Sequence, residues 1–176
     1  MRNGVLLMRT SVRLSAIALM AVGIACQDEP RSLVTAPPQT GGANPALSLT
    51  ASDQAPRVEA TITVTARAAP AASAQAVGSF AGHLRYDAAG LTFLGESQLP
   101  TGMRAFNPQP GHIRVAGATA EGFRDGRLFA VTFKVKDARA LATLELALDE
   151  LNGTDFANRL PTNPHDRRVH LTFSRQ

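Results

Sequence analysis

Four histidines, at positions 83, 112, 165 and 170, are the side chains of this sequence best suited to bind a metal ion. Zinc enzymes often carry two histidines on one helix as H-x-x-x-H, and no pair of these histidines forms that motif. The chain has one cysteine, Cys26, so a cysteine-rich metal site is excluded. A metal site would have to assemble over long sequence distances, and we predict none.

Ser79, His83 and Asp87 are of the three residue types that form a nucleophilic catalytic triad. No G-x-S-x-G turn or oxyanion loop accompanies them, and an alternating strand spreads such groups rather than converging them. The carboxylates within residues 145–150 are typical of an exposed strand edge and turn. A catalytic pair of carboxylates, as in glycosidases, is not ruled out, but no motif indicates one. We predict a protein that is not an enzyme and has no catalytic residues and no cofactor.

The N-terminal residues 1–25 have the layout of an export signal. The basic residues Arg2, Arg9 and Arg13 precede an apolar run over residues 14–25. Met8 is an alternative start, because two of the three arginines follow it. The apolar run has about 12 residues, whereas a membrane-spanning helix needs roughly 20. We therefore predict a signal peptide over 1–25, and the competing interpretation is a buried helix of the fold.

The segment Gly23-Ile24-Ala25-Cys26 resembles the lipobox of bacterial lipoproteins, in which the cysteine is lipidated and becomes the new N-terminus. Gly23 departs from that pattern, which prefers leucine. An ordinary signal peptidase would also accept the site and leave a free thiol. We favour lipidation of Cys26, because the sole cysteine directly follows the cleavage site. Gln27, in place of aspartate, then indicates the outer membrane or cell surface.

Residues 26–45 are predicted to form a flexible tether behind the lipid anchor, since proline, glycine and polar residues dominate them. Removal of the signal also changes the charge balance. Of the 18 basic residues 15 remain against 14 acidic ones, so the net charge falls from +4 to +1. No basic run is present. We therefore predict no nucleic-acid partner.

The stretch from Asp125 to Lys136 is the most informative of the chain. Asp125-Gly126 readily adopts the positive φ angles of a tight hairpin turn. Apolar residues then alternate with others from Phe129 to Val135, which is typical of a half-buried strand. We predict a central strand preceded by a hairpin turn.

Further alternating segments share this period of two, which predicts about eight or nine strands in a sandwich or barrel. They begin with Leu47 and Leu49 and continue over residues 58–67, 80–86, 113–117, 144–148 and 169–173. Residues 91–94 are predicted as a further strand with a blurred period, as at an edge or bulge. Their single apolar face favours antiparallel pairing. No amphipathic helix is predicted.

Three segments between these strands are predicted as loops. Residues 68–76 are alanine-rich and contain Pro70, whereas 97–111 and 152–168 hold residues that break strand ladders. Large apolar residues inside the two longer loops are expected to pin them to the core: Met103, Phe106, Phe156 and Leu160.

From about Leu47 to Leu151 the chain resembles a cohesin domain, of the carbohydrate-binding-module-like sandwich superfamily. The resemblance is carried by residues 77–80, 84–87 with 91–93, 111–115 and, most strongly, 125–136. It implies an antiparallel jelly-roll β-sandwich over residues 46–176. It also implies a non-catalytic module that binds a dockerin-like protein through one sheet face. A single module behind a lipid anchor departs from the family's usual setting.

Outward residues of three predicted strands would form a mildly basic surface if these strands share a sheet. We predict a partner-binding face for an acidic or helical protein at His83, Arg85, His112, Arg114, Thr132 and Lys134. The competing interpretation is that these residues are merely solvated, as exposed Lys and Arg commonly are. An alternative function is binding of extracellular polysaccharide. Sugar-binding modules commonly use a flat row of exposed aromatic rings. The chain has no Trp and one Tyr, which disfavours this alternative.

Overall fold

The computed structural model describes residues 45–69 and 76–171. The predicted signal peptide over 1–25, Cys26 and all of the predicted tether except residue 45 lie outside the described residues. Among the residues described, no helix is long and apolar enough to span a bilayer. Regular helix is limited there to three short 3-10 helices: Arg124–Gly126, Ala138–Thr143 and Pro164–Arg167.

Within residues 45–69 and 76–171, nine strands form two sheets in which every pair of neighbours is antiparallel. The strands are β1 (Ala46–Ala51), β2 (Thr61–Ala69), β3 (Val77–Arg85), β4 (Leu91–Glu96), β5 (Met103–Gln109), β6 (His112–Ala118), β7 (Arg127–Val135), β8 (Glu145–Gly153) and β9 (Arg168–His170). The four-stranded sheet has the order β1-β2-β7-β4, and the five-stranded sheet has the order β5-β6-β3-β8-β9. The predicted antiparallel β-sandwich of eight or nine strands is confirmed.

The core lies between the two sheets and is centred on β7. Phe129, Val131, Phe133 and Val135 are fully buried, as their alternation predicts. The Phe129 ring stacks on Phe80 of the five-stranded sheet at 6.1 Å between centroids. β7 lies between β2 and β4, so its prediction as a central strand is also confirmed. Ring contacts of this kind add to the free energy gained by burial alone.

The turn at Asp125 and Gly126 has the predicted backbone but a different role. Their φ angles are 59° and 65°. The preceding strand β6 belongs to the five-stranded sheet and β7 to the four-stranded sheet, so the predicted hairpin is wrong and the turn carries the chain between sheets. A Cβ atom on Gly126 would lie 2.5 Å from the Ala68 carbonyl oxygen, so only glycine fits. The dipeptide dictates backbone angles but not which strands it joins.

The predicted loop over residues 97–111 is wrong for its second half, which forms β5. Pro108 pairs in register with Ile113 of β6. Because β5 is an edge strand, a residue without an N–H donor is tolerated there, whereas in a central strand it would remove a ladder bond. Phe106 packs against the core as expected. Met103 was expected to do so as well, but its side chain is 79% exposed.

Two other predicted boundaries move. β2 begins at Thr61 and runs to Ala69, so Val58 is not part of it and is 62% exposed in the preceding turn. Residues 68 and 69, predicted as the start of a loop over 68–76, form the end of β2. Residues 70–75 of that predicted loop lie outside the described part. Leu160 packs against the core as predicted, but Phe156 is exposed. Phe173 of the last predicted strand lies beyond the described residues.

Candidate functional site

The outward-facing side chains of β3 and β6 form the centre of the five-stranded sheet's outer face. His83 pairs in register with Arg114, and Arg85 pairs with His112. We call these four residues the basic quartet. Cross-strand neighbours on one face have Cβ atoms roughly 5 Å apart, so the quartet is one compact patch. The structure thus brings together four of the six residues predicted for a partner-binding face.

Thr132 and Lys134 are separated from the basic quartet, because β7 belongs to the other sheet. The predicted face of six residues is therefore corrected to four. Lys134 forms an ion pair with Glu59, and the Thr132 hydroxyl lies 2.9 Å from that of Ser97. Alternation shows which side chains point outward from a strand. It does not show the sheet to which the strand belongs.

Within the basic quartet, the histidines have partners and the arginines are exposed. His83 Nε2 lies 2.9 Å from Asp149 Oδ2 on β8, and the rings of His83 and His112 are 5.4 Å apart between centroids. Arg85 and Arg114 make no ion pair or side-chain hydrogen bond with another described residue. Two guanidinium groups are therefore available to a ligand.

Small side chains continue the outer face next to the basic quartet. Ala81 pairs in register with Ala116, and Ala116 pairs with Ala105 of the edge strand β5. These three alanines form a row across three strands. Because their methyl groups project little, the backbone of a partner could approach this part of the sheet closely.

An apolar groove of about 370 Å³ lies at the end of the outer face where β3 begins. Its lining includes Ser79, Met103, Ala118, Ala120, Gly153 and Phe156. Met103 and Phe156 are 79% and 91% exposed, which is unusual for side chains of this size. Two of the four residues that the sequence suggested as core plugs are thus the large exposed apolar residues of the groove.

Phe156 has a backbone conformation that favours glycine or asparagine. Its φ angle is 60°, and its N–H donates to the Gly153 carbonyl at 3.0 Å. The Asp155 carboxylate orders the turn by accepting from the Ala157 N–H at 3.1 Å and by pairing with Arg159 at 2.6 Å. A bulky residue at positive φ costs of order 1–3 kcal/mol. The aromatic side chain is therefore presented to solvent at the expense of folding stability.

Two carboxylates stand between the basic quartet and the apolar groove. An irregularity in the pairing of β3 with β8 leaves both Asp149 and Glu150 exposed. Glu150 Oε1 accepts from the Ser79 hydroxyl at 3.2 Å and from the Asn152 amide at 2.7 Å. Ser79 also lines the groove, so the groove has one acidic border.

Arg104 holds the edge strand β5, and hence Met103, against the rest of the fold. Its Nε donates to the Leu128 carbonyl at 2.5 Å and one guanidinium nitrogen to the Thr101 carbonyl at 2.6 Å. Burial lowers the pKa of Arg104 below its usual value, and the nearby Glu96 carboxylate opposes that shift. These bonds tie the five-stranded sheet to the start of β7 in the other sheet.

The residues of the possible triad have separate partners. Ser79 bonds to Glu150, and the ring of His83 lies against Asp149. The Asp87 carboxylate accepts from the Ala89 N–H at 2.8 Å in its own turn. In the described ranges, no group of three or more His, Cys, Asp or Glu side chains could hold a metal ion.

A weak signal in the sequence pointed to Phe156 as a surface residue, and none pointed to Met103. Phe156 is an isolated aromatic between Asp155 and Asn158, without apolar neighbours at a spacing of two. Turn residues on both sides indicate a tight turn, where a side chain has little core to enter. Met103 follows Gly102 at the start of an edge strand, and nothing local distinguishes it from a buried residue.

No family model matches the chain, and no curated protein matches it. Among solved structures it is similar to a type II cohesin dyad from the adaptor scaffoldin of Acetivibrio cellulolyticus, with 12% identity and a TM-score of 0.48. That match covers 66% of this chain and 45% of the dyad. It is also similar to a chain of a type I cohesin–dockerin complex from Clostridium thermocellum, with 11% identity, a TM-score of 0.49 and coverage of 64% and 90%.

A third similar structure is the non-cellulosomal cohesin of the hyperthermophilic archaeon Archaeoglobus fulgidus. Its identity is 22%, its TM-score is 0.42, and the match covers 64% of this chain and 81% of that one. These three solved structures to which the chain is similar all contain cohesin modules.

Proposed function

We propose that this protein is a non-catalytic binding module that engages another protein through the outer face of its five-stranded sheet. The observation that carries the proposal is Phe156, 91% exposed and at positive φ beside Met103 over the apolar groove. Asparagine or glycine would satisfy the turn without strain. An aromatic side chain at this position is therefore better explained by binding than by folding.

The chemistry of the groove suits a protein partner. Exposed aromatic residues set in an apolar pocket are frequent anchors of protein–protein interfaces, where a few such residues supply most of the binding energy. Methionine adapts to the shape of an incoming side chain because its unbranched chain is flexible and polarisable. The neighbouring row of alanines extends the contact surface without steric obstacles.

A matched pair of variants tests the proposal. The full chain would be used to capture proteins from an envelope extract, with the captured set quantified by mass spectrometry. We expect Phe156→Ser to reduce capture of the specific partner at least tenfold, because it removes the anchor. Val58→Ser changes another exposed apolar residue, 62% exposed and outside the groove, and should leave capture unchanged.

Two results would contradict the proposal. Equal loss in both variants would indicate nonspecific hydrophobic capture, and no loss in Phe156→Ser would exclude the groove. Thermal unfolding of both variants controls for folding. A glycan array probes the alternative function, since specific polysaccharide hits together with an absent protein partner would favour a carbohydrate-binding module.

The resemblance to cohesins names a dockerin-like module as one candidate partner. Direct titration of a recombinant dockerin against the full chain tests that candidate separately. Binding that is lost in Phe156→Ser would identify the class of partner. Absence of binding would leave a protein of another kind as the partner on the same face.

We also propose that the module acts at the cell envelope, held by a lipid on Cys26. Support comes from the basic, apolar and small-residue order of residues 1–25 and from the position of the sole cysteine. Two or three acyl chains would anchor the protein stably, whereas one chain binds only marginally. Mass spectrometry of the mature N-terminus tests this, since an unmodified thiol would refute it.

A further inference from the structure

We infer that the partner carries a carboxylate cluster for the basic quartet and, roughly 13–20 Å away, a large apolar side chain for the groove. This inference rests on the proposed function, because it describes the chemistry of a partner on the same face. The separation follows from the strand itself. Ser79 lines the groove, and His83 and Arg85 lie four and six residues further along β3, each residue adding about 3.3 Å.

The basic quartet favours an anionic ligand. Arg85 and Arg114 are exposed on adjacent strands and form no ion pair among the described residues. The cross-strand neighbour of Arg85 on β8 is Glu145, whose carboxylate lies near Arg168 and His170 instead. A neutral partner lying over them would remove water from two cations without compensation, which is costly. Carboxylates avoid that cost, because arginine binds them with two parallel, charge-assisted hydrogen bonds. An acidic segment therefore suits this end of the face.

The carboxylates beside the groove fix the direction in which the partner lies. Asp149 is engaged with His83, and Glu150 borders the groove through Ser79. A partner bound in the reverse direction would bring its acidic cluster against Glu150 and its apolar residue onto the arginines. Like charges at short range are repulsive, and buried unpaired arginines are unfavourable. One orientation is therefore strongly preferred.

Electrostatics and burial contribute differently to such a complex. The apolar side chain in the groove supplies most of the affinity, whereas the acidic cluster accelerates association and excludes wrong partners. Binding should therefore weaken as salt is raised, because the exposed arginines are screened beyond about 8–10 Å at physiological ionic strength. The loss of affinity caused by removing the apolar anchor of the groove should instead be the same at low and high salt.

Selection from a displayed library of random 16-residue peptides on the full chain tests the inference. This length spans about 24 Å as a helix and more when extended, so either conformation can reach both the basic quartet and the groove. We expect selected peptides to combine a cluster of Asp and Glu with a large apolar residue outside that cluster. Chemical shift mapping should place them on β3, β5, β6 and β8.

Charge reversal provides the decisive comparison. Arg85→Glu combined with Arg114→Glu should weaken the selected peptides at least tenfold at low salt and abolish acidic enrichment in a repeated selection. Arg67→Glu combined with Lys136→Glu makes the same change in net charge at exposed residues of β2 and just after β7, and should leave both readouts unchanged.

The outcomes separate the inference from the proposed function. Peptides that bind this face without acidic enrichment, or that keep their affinity in the Arg85→Glu and Arg114→Glu variant, overturn the inference alone. Selection that yields no binders, or binders that map to the four-stranded sheet, contradicts the proposed function as well. Hits on a glycan array with uronic-acid polymers but no peptide binders would assign the basic quartet to an acidic polysaccharide and overturn the inference.

Discussion

The guanidinium group of Arg104 lies 4.9 Å from the centre of the Phe123 ring. Phe123 is buried and also meets Phe80 edge to face at 5.3 Å. Arg104 therefore covers one side of an aromatic cluster while its nitrogen atoms bind main-chain carbonyls of the loop before β5 and of β7. One side chain thus links the edge strand to the other sheet.

Replacement of this arginine should destabilise the protein. Arg104→Met keeps most of the aliphatic contact but leaves the Leu128 and Thr101 carbonyls without their donor. We expect a loss of about 2 kcal/mol in the free energy of unfolding, since hydrogen bonds to charged groups contribute about 1.5–3 kcal/mol. Urea denaturation measures it. Arg57→Met, at an exposed arginine, is the control, and equal stability of the two variants would contradict the linking role.

The turn between the sheets should tolerate little change at Gly126. Gly126→Ala places a Cβ atom against the Ala68 carbonyl and forces a φ of 65° on a non-glycine residue. We expect destabilisation by about 2 kcal/mol or more. Gly126→Asn separates the two causes, because asparagine accepts positive φ but carries the same Cβ atom. If Gly126→Asn is much more stable than Gly126→Ala, the positive φ angle is the main cause of the destabilisation. If the two variants are equally unstable, the close approach of the Cβ atom to the Ala68 carbonyl is the main cause.

Phe156 should show opposite effects on stability and binding. Phe156→Asn removes an exposed ring and places at φ 60° a residue that tolerates this angle. We expect the free energy of unfolding to rise by about 1 kcal/mol while partner binding is lost. Thermal unfolding and the capture assay measure the two quantities on one sample. Met103→Asn, at an exposed strand position, should reduce binding without the gain in stability. A loss of stability in Phe156→Asn would instead assign the ring a structural role.

The part of the fold that was predictable is the part encoded by local alternation. β7 could be located because its buried residues recur at every second position. The edge strand β5 could not, because Pro108 and Gly102 satisfy the rules for a loop equally well. An edge strand needs only one row of ladder bonds, so its sequence is less constrained than that of a central strand.

The candidate site was predictable in its polar half and not in its apolar half. Outward positions on β3 and β6 follow from alternation, and their neighbours follow once the strands are paired. Lys134 was assigned to the same face because the turn at Asp125 and Gly126 does not show in the sequence that the chain passes from one sheet to the other there. Phe156 was assigned to the core because an aromatic in a loop is usually buried. Only the positive φ angle and the exposure, both tertiary facts, identify it as a surface anchor.

The predicted lipid anchor gives a test of cellular location that is independent of the binding face. Cys26→Ser removes the thiol that would be acylated but leaves the apolar run over residues 14–25. We expect the protein to leave the membrane fraction of a two-membrane bacterial host, because the lipid supplies the attachment. Gln27→Asp is the matched control. It keeps Cys26, so the protein should stay membrane-bound, but by the sorting behaviour of lipoproteins it should move to the inner membrane. Fractionation followed by immunoblotting measures both, and a Cys26→Ser protein that has lost residues 1–25 and still stays in the membrane fraction would exclude lipidation as the anchor.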